Sequence, residues 1–133
     1  MNRKALISVV VIFFMSMLLG FVVHALLLKP DYTALASLFR PEAEQQAYFL
    51  WMVLAHVSIA IGFVWVYLKG REEAPYLGQG IRFGAAMALL MTIPMYLIYY
   101  SVQPMPGMLV VKQIVYDGIG VILMGIVVAW LNR

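Results

Sequence analysis

Asp117 and His56 are the residues of this chain best suited to chemistry. A carboxylate and an imidazole that meet can exchange a proton, hold a cation or share a metal ion. Both lie deep in apolar sequence. Asp117 falls about nine residues into the stretch MLVVKQIVYDGIGVILMGIVVAWL, roughly 14 Å below its start at helical rise. His56 falls about as far into another apolar run, at residues 47–68. A lone charge at such depth in a bilayer costs several kcal/mol, by about +2.5–3.5 on insertion scales, unless it finds a partner. If both helices descend from the same face, the two side chains share a level near the midplane.

A second, shallower level is expected at His24 and Lys112, with Gln113 and Tyr116 adding hydrogen-bonding groups between the levels. Three readings of this constellation stand. The first is an interhelical hydrogen bond that fixes the register of a bundle, a contact often worth only about 0.6 kcal/mol in membranes. The second is a proton or cation site, or the polar anchor of a small ligand, opening outward around His24, His56, Lys112 and Asp117. The third is a metal site of two histidines and one carboxylate, His24, His56 and Asp117, which requires a vertical shift of the first helix by about one turn. Bis-histidine haem fits poorly, because the histidines stand at unequal depths. Lys112 reads as snorkelling to the outer surface, and Tyr96, Tyr99 and Tyr100 as an interfacial belt. The residues name no cofactor.

Catalytic motifs are missing from the sequence. It has no zinc-protease HExxH, no nucleophile elbow and no phosphate loop, and it has no cysteine for thiolate chemistry. Asp117-Gly118-Ile119-Gly120 is glycine-rich but lies inside an apolar span. The net charge of +3 is spread over helix ends, so no basic cluster points to nucleic acid.

The elements that must position these groups follow from composition. Of 133 residues, 65% are hydrophobic and 11% charged, against about a quarter charged in soluble domains. Four segments, residues 5–28, 47–68, 81–101 and 108–131, reach the ~20 residues that a membrane-spanning helix needs. The expectation is a single all-α membrane domain, a four-transmembrane-helix bundle. The first span is read as retained rather than cleaved, because it is too long for a signal-peptide core. Lys and Arg fall six on one side (Arg3, Lys4, Lys69, Arg71, Arg82, Arg133) and three on the other (Lys29, Arg40, Lys112). By the positive-inside rule both termini are cytoplasmic, and the expected setting is a bacterial inner membrane.

Tyr32, Leu35, Ala36 and Phe39 recur at helical spacing in the first outer loop, which predicts a short amphipathic helix capped by Asp31 or Thr33, or a loop packed on the bundle. Pro41 is expected to open the next helix, with Glu42 and Glu44 in its first turn. Residues 69–80 read as an inner loop. The run VQPMPG enforces a hairpin between the third and fourth helices. Pro94 predicts a kink or hinge in the third, with Thr92 near the freed carbonyl. Ser58 with Gly62, Gly84 with Ala85 and Ala88, and Gly118, Gly120 and Gly125 are the expected small-residue contacts. On the fourth helix Gln113, Asp117, Gly120 and Met124 share the face expected to point inward. A faint likeness between residues 58–69 and 121–132 hints at a duplicated hairpin.

The function expected from so few loops is that of an accessory or assembly subunit, or a small oligomer, partnered by the lipid bilayer and by other membrane proteins or copies of itself. The alternatives are a small-molecule or proton- or cation-coupled binding protein or transporter, and an intramembrane metal or haem protein.

Overall fold

No water reaches the hydrocarbon core of a membrane, so a spanning chain must satisfy its backbone internally. This chain does so with helices. The computed structural model describes residues 2–133 and is all-helical, with no strand among them. Four helices are long and apolar enough to cross a membrane: α1 (Arg3–Leu27), α2 (Phe49–Gly70), α3 (Tyr76–Val102) and α4 (Gly107–Leu131). The protein is a four-helix membrane bundle. Large apolar side chains such as Phe14, Leu18, Leu90 and Trp65 point outward, the distribution lipid favours and water does not.

α3 and α4 form the most extensive interface. The cause is glycine. A Cβ added at Gly84 would come to 2.5 Å from the Ile122 Cα, and one at Gly80 to 2.6 Å from the Ile126 Cα; Gly125 faces the Gly80 and Gly84 backbone just as closely. In lipid, where apolar burial drives little, such close packing is the main attraction between helices. Gly78 and Gly80 therefore belong to a helix and not to the expected inner loop, since α3 starts at Tyr76 and only residues 71–75 connect it to α2. The expected seam on α2 differs too. Ser58 is exposed and bonds only its own Leu54 carbonyl, and Gly62 has nothing within 4 Å. α2 instead holds to the bundle through Ala60, Phe63, Val64 and Tyr67, with Phe63 and Tyr67 edge-on to Phe83 of α3 at 4.8 and 5.2 Å.

The buried side chains fall into two clusters. One, around Ile12, Phe63, Val64 and Val128, fills the half of the bundle near the termini. The other, around Val23, Leu28, Tyr96 and Leu109, fills the far half. At the termini end the polar groups are stitched together: Asn132 Nδ2 donates to Ser8 Oγ and to the Val128 carbonyl, both at 2.8 Å, and Arg71 donates to the Asn132 carbonyl at 2.8 Å. Gln79 and the Glu72 backbone bond reciprocally across the connector.

Two helices change winding near the gap between the clusters. α1 ends in a π-helical stretch, Phe21–Leu27, and α3 contains another, Ala88–Thr92. The second precedes Pro94, which has no N–H for Leu90; Ile93 donates five residues back, to Ala88.

The far-end connector is not one amphipathic helix. It is a helical turn, Lys29–Thr33, then a 3-10 turn, Ala36–Leu38, with Tyr32 and Leu35 packed on the far core cluster. Neither Asp31 nor Thr33 caps it. Asp31 is drawn to Lys112, and Thr33 Oγ1 donates to the Lys29 carbonyl. Pro41 is the cap residue of the turn Glu42–Gln45, which carries Glu42 and Glu44 and leads into α2. A four-residue link, 103–106, joins α3 to α4 as the hairpin sequence requires.

Candidate functional site

His24 sits on the π-helical end of α1, Tyr96 two residues past Pro94 on α3, and Asp117 on the inward face of α4. The three meet. His24 Nε2 lies 3.1 Å from Asp117 Oδ2, and Tyr96 donates its hydroxyl to the same oxygen in a short hydrogen bond. His24 Nδ1 lies 2.6 Å from the Tyr32 hydroxyl, and Gln113 Nε2 donates to that hydroxyl oxygen at 3.0 Å. The chain is directional. The Tyr32 oxygen accepts from Gln113, which leaves its own hydrogen available to His24 Nδ1. His24 then carries its hydrogen on Nε2 and gives it to Asp117. A neutral imidazole and an ionised carboxylate satisfy every bond in the chain.

Expected depths predicted the wrong partner. Asp117 pairs with His24, not His56. His56 is bonded elsewhere: its Nδ1 lies 2.9 Å from Ser16 Oγ, whose hydrogen is committed to the Phe13 carbonyl at 2.9 Å. His56 must therefore donate through Nδ1, which leaves the Nε2 lone pair free when the ring is neutral. Lys112 does not snorkel free. It forms an ion pair with Asp31 at 3.0 Å. Gln113 is buried, and its Oε1 has no hydrogen-bond partner.

His24, His56, Tyr96, Tyr116 and Asp117 all border one cavity of about 270 Å3. Ser16 and Thr92 add hydroxyls, and Leu19, Ile59 and the methionines 91, 95 and 124 make most of the wall apolar. All four helices contribute. Gln113, Asp117, Gly120 and Met124 do share the inward face of α4. Lys112 and Gln113 stand outside the cavity lining, and Pro94 acts by placing Thr92 and Tyr96 rather than by touching the space. The metal set of His24, His56 and Asp117 is not assembled, and among the described residues no three of His, Asp and Glu converge enough to hold a metal ion.

Three contributors escaped sequence reasoning. Tyr96 looked like part of an interfacial belt, although Ala88, Thr92 and Tyr96 recur at i, i+4 spacing and mark a polar inward face. Asp31 pairs with Lys112, a charge match that length and hydropathy do not register. Tyr32 reads in sequence only as one of the apolar-face positions of the outer loop, and nothing there ties its hydroxyl to His24. It lies outside the spanning segments, where burial pushes its phenol up, partly offset by the Gln113 hydrogen bond, so it stays a neutral donor.

No protein-family model matches the chain, and neither a curated protein nor a solved structure is similar to it.

Proposed function

We propose that this membrane protein binds a small ligand between its helices, with Asp117, His24 and Tyr96 as the polar anchor. One observation carries the reading: the deepest acid of the chain borders a cavity instead of a packed wall. A carboxylate that served only to fix helix register would be enclosed by its partners. This one has two donors on Oδ2 and no protein donor on Oδ1. The volume is above the roughly 150 Å3 of an engineered cavity that holds benzene, and just below the roughly 300 Å3 at which ligand pockets begin. Proton coupling follows from the same groups, since His24 and Asp117 share a hydrogen bond through which a proton can pass.

The lysine and arginine count supports cytoplasmic termini, and Lys4, Arg71 and Arg133 cluster at the termini end; the setting proposed is a bacterial inner membrane. In that orientation the His24 side of the cavity lies toward the outer face.

The test is saturable stabilisation by a single-ring probe, benzyl alcohol or benzylammonium, followed by thermal unfolding in nanodiscs. Gly120→Leu, which adds bulk to the cavity beside Leu19 where a Cβ has ordinary clearance (3.5 Å), should abolish the response in a folded protein. An unchanged response would remove the cavity from the account.

A second reading, an accessory subunit or small oligomer, is favoured by the unpartnered Ala55, Ser58 and Gly62 face of α2, which suits another transmembrane helix. Gly62→Leu should then weaken self-association measured by analytical ultracentrifugation; no change would count against a copy of this chain as partner.

A further inference from the structure

We infer that the ligand of this cavity is a small organic cation, a protonated amine on an apolar body, and not a neutral molecule or an acid. The inference rests on the proposed binding role and adds the chemical class.

It comes from the hydrogen atoms. Four of the polar groups at the cavity wall have their donor already committed. Tyr96 gives its hydrogen to Asp117, Ser16 gives its hydrogen to the Phe13 carbonyl, and His56 donates Nδ1 to Ser16. His24 gives Nε2–H to Asp117 and receives from Tyr32. What remains open is acceptor capacity: Asp117 Oδ1 and His56 Nε2. The hydroxyls of Thr92 and Tyr116, both at the wall with no bonded partner, are able to serve either way. The lining holds no lysine or arginine, and its one formal charge is the Asp117 carboxylate. An acid would bring a second negative charge beside the first and find only the neutral hydroxyls of Thr92 and Tyr116 as free donors. A neutral alcohol would satisfy one acceptor and leave the carboxylate without a counter-charge in a medium where that costs most. An ammonium group carries several donors and the missing charge for Asp117 Oδ1, with His56 Nε2 a further acceptor on the same cavity wall. The remaining wall of methionine, leucine, isoleucine and tyrosine suits the apolar remainder, and aromatic faces and thioethers are favourable neighbours for a cation. A bare inorganic cation is a poorer match, because about 270 Å3 of mostly apolar space cannot close a coordination shell around it.

The experiment compares benzylammonium chloride with benzyl alcohol, which has the same ring and chain length, and with sodium chloride, on the purified full chain in nanodiscs of uncharged lipid. Binding is read by titration calorimetry and thermal unfolding. Benzylammonium should bind about tenfold or more tighter than benzyl alcohol, the worth of a hydrogen bond to a charged group. In Asp117→Asn, which keeps the side-chain shape, the two affinities should become equal while benzyl alcohol still binds. In His56→Phe the preference should shrink but persist. The wild-type ratio needs no variant and stands even if a substitution prevents folding. Equal affinities in the wild type would overturn the cation assignment and leave the cavity reading intact. Binding of neither probe would remove the cavity reading itself. Stabilisation by sodium equal to that by benzylammonium would assign an inorganic ion and overturn the organic class.

Discussion

The same two helices, α3 and α4, behave differently along their length. Near the termini end they touch backbone to backbone through Gly80, Gly84 and Gly125. Beyond Ala88 they part around a cavity bordered by Thr92, Tyr96, Asp117 and Gly120. The first half has no side chain to keep the helices apart at these glycines, and its buried polar groups, Gln79 and Asn132, bond away from the contact. The second half has π-helical winding, a proline without an N–H, and side chains that bond one another across the gap. A helix pair in lipid closes wherever small residues allow contact, and stays open only where polar side chains reach across the gap. The open half is where ligand chemistry is possible, and the closed half holds it in place.

The largest expected effect breaks the closed half. Gly84→Leu forces a Cβ onto the Ile122 backbone and should cost about 3 kcal/mol or more, at the upper end of overpacking costs. Thermal unfolding in detergent would read this as loss of the folded transition. Gly62→Leu, with open space around it, should stay within about 0.5 kcal/mol of the parent. If the two cost the same, close contact is not what holds α3 to α4.

Next comes a comparison of polar groups. Tyr96→Phe removes a donor from the Asp117 carboxylate and should destabilise by about 1.5–3 kcal/mol, the range for bonds to charged groups. Ser8→Ala at the termini end removes a neutral acceptor from Asn132 and should cost about 1 kcal/mol. Chemical denaturation of the two variants side by side would rank them, and a reversed order would mean that Asp117 is not ionised in the folded protein.

Smaller still is the Lys112–Asp31 pair, which is partly exposed. A double-mutant cycle with alanine at both positions should give a coupling of about 0.5–1 kcal/mol that falls with added salt. A salt-independent coupling would point to packing of the connector and not to charge.

The smallest effect concerns Tyr32. Its phenol is raised in the folded state, so the folded protein holds that proton more tightly than the unfolded chain does. The resulting stability is present below pH about 10, where unfolded tyrosine is protonated, and is lost as pH rises through the folded value. Tyr32→Phe should therefore flatten the decline in unfolding temperature above pH about 10. An identical slope in parent and variant would remove Tyr32 from the titration.

The four helices were legible in the sequence because length and hydropathy act locally: an apolar run of this length has no stable alternative to a helix in lipid. The hairpin at residues 103–106 was equally plain, since two prolines and a glycine leave the chain no other course. The Gly80 contact was hidden only by a helix start placed five residues late, at a position where Pro75 marks the true boundary.

The partner of Asp117 was decided by tertiary structure alone. Counting residues from the span ends assumes uniform helical rise and a common starting depth, and α1 violates the first while α2, with its extra turns before Phe49, violates the second. In the folded bundle His24 meets the carboxylate and His56 bonds Ser16. Sequence determined that a carboxylate and two imidazoles would lie within the bundle. Packing determined which of them meet, because side-chain distance depends on the relative shift and rotation of whole helices, quantities that no single segment encodes.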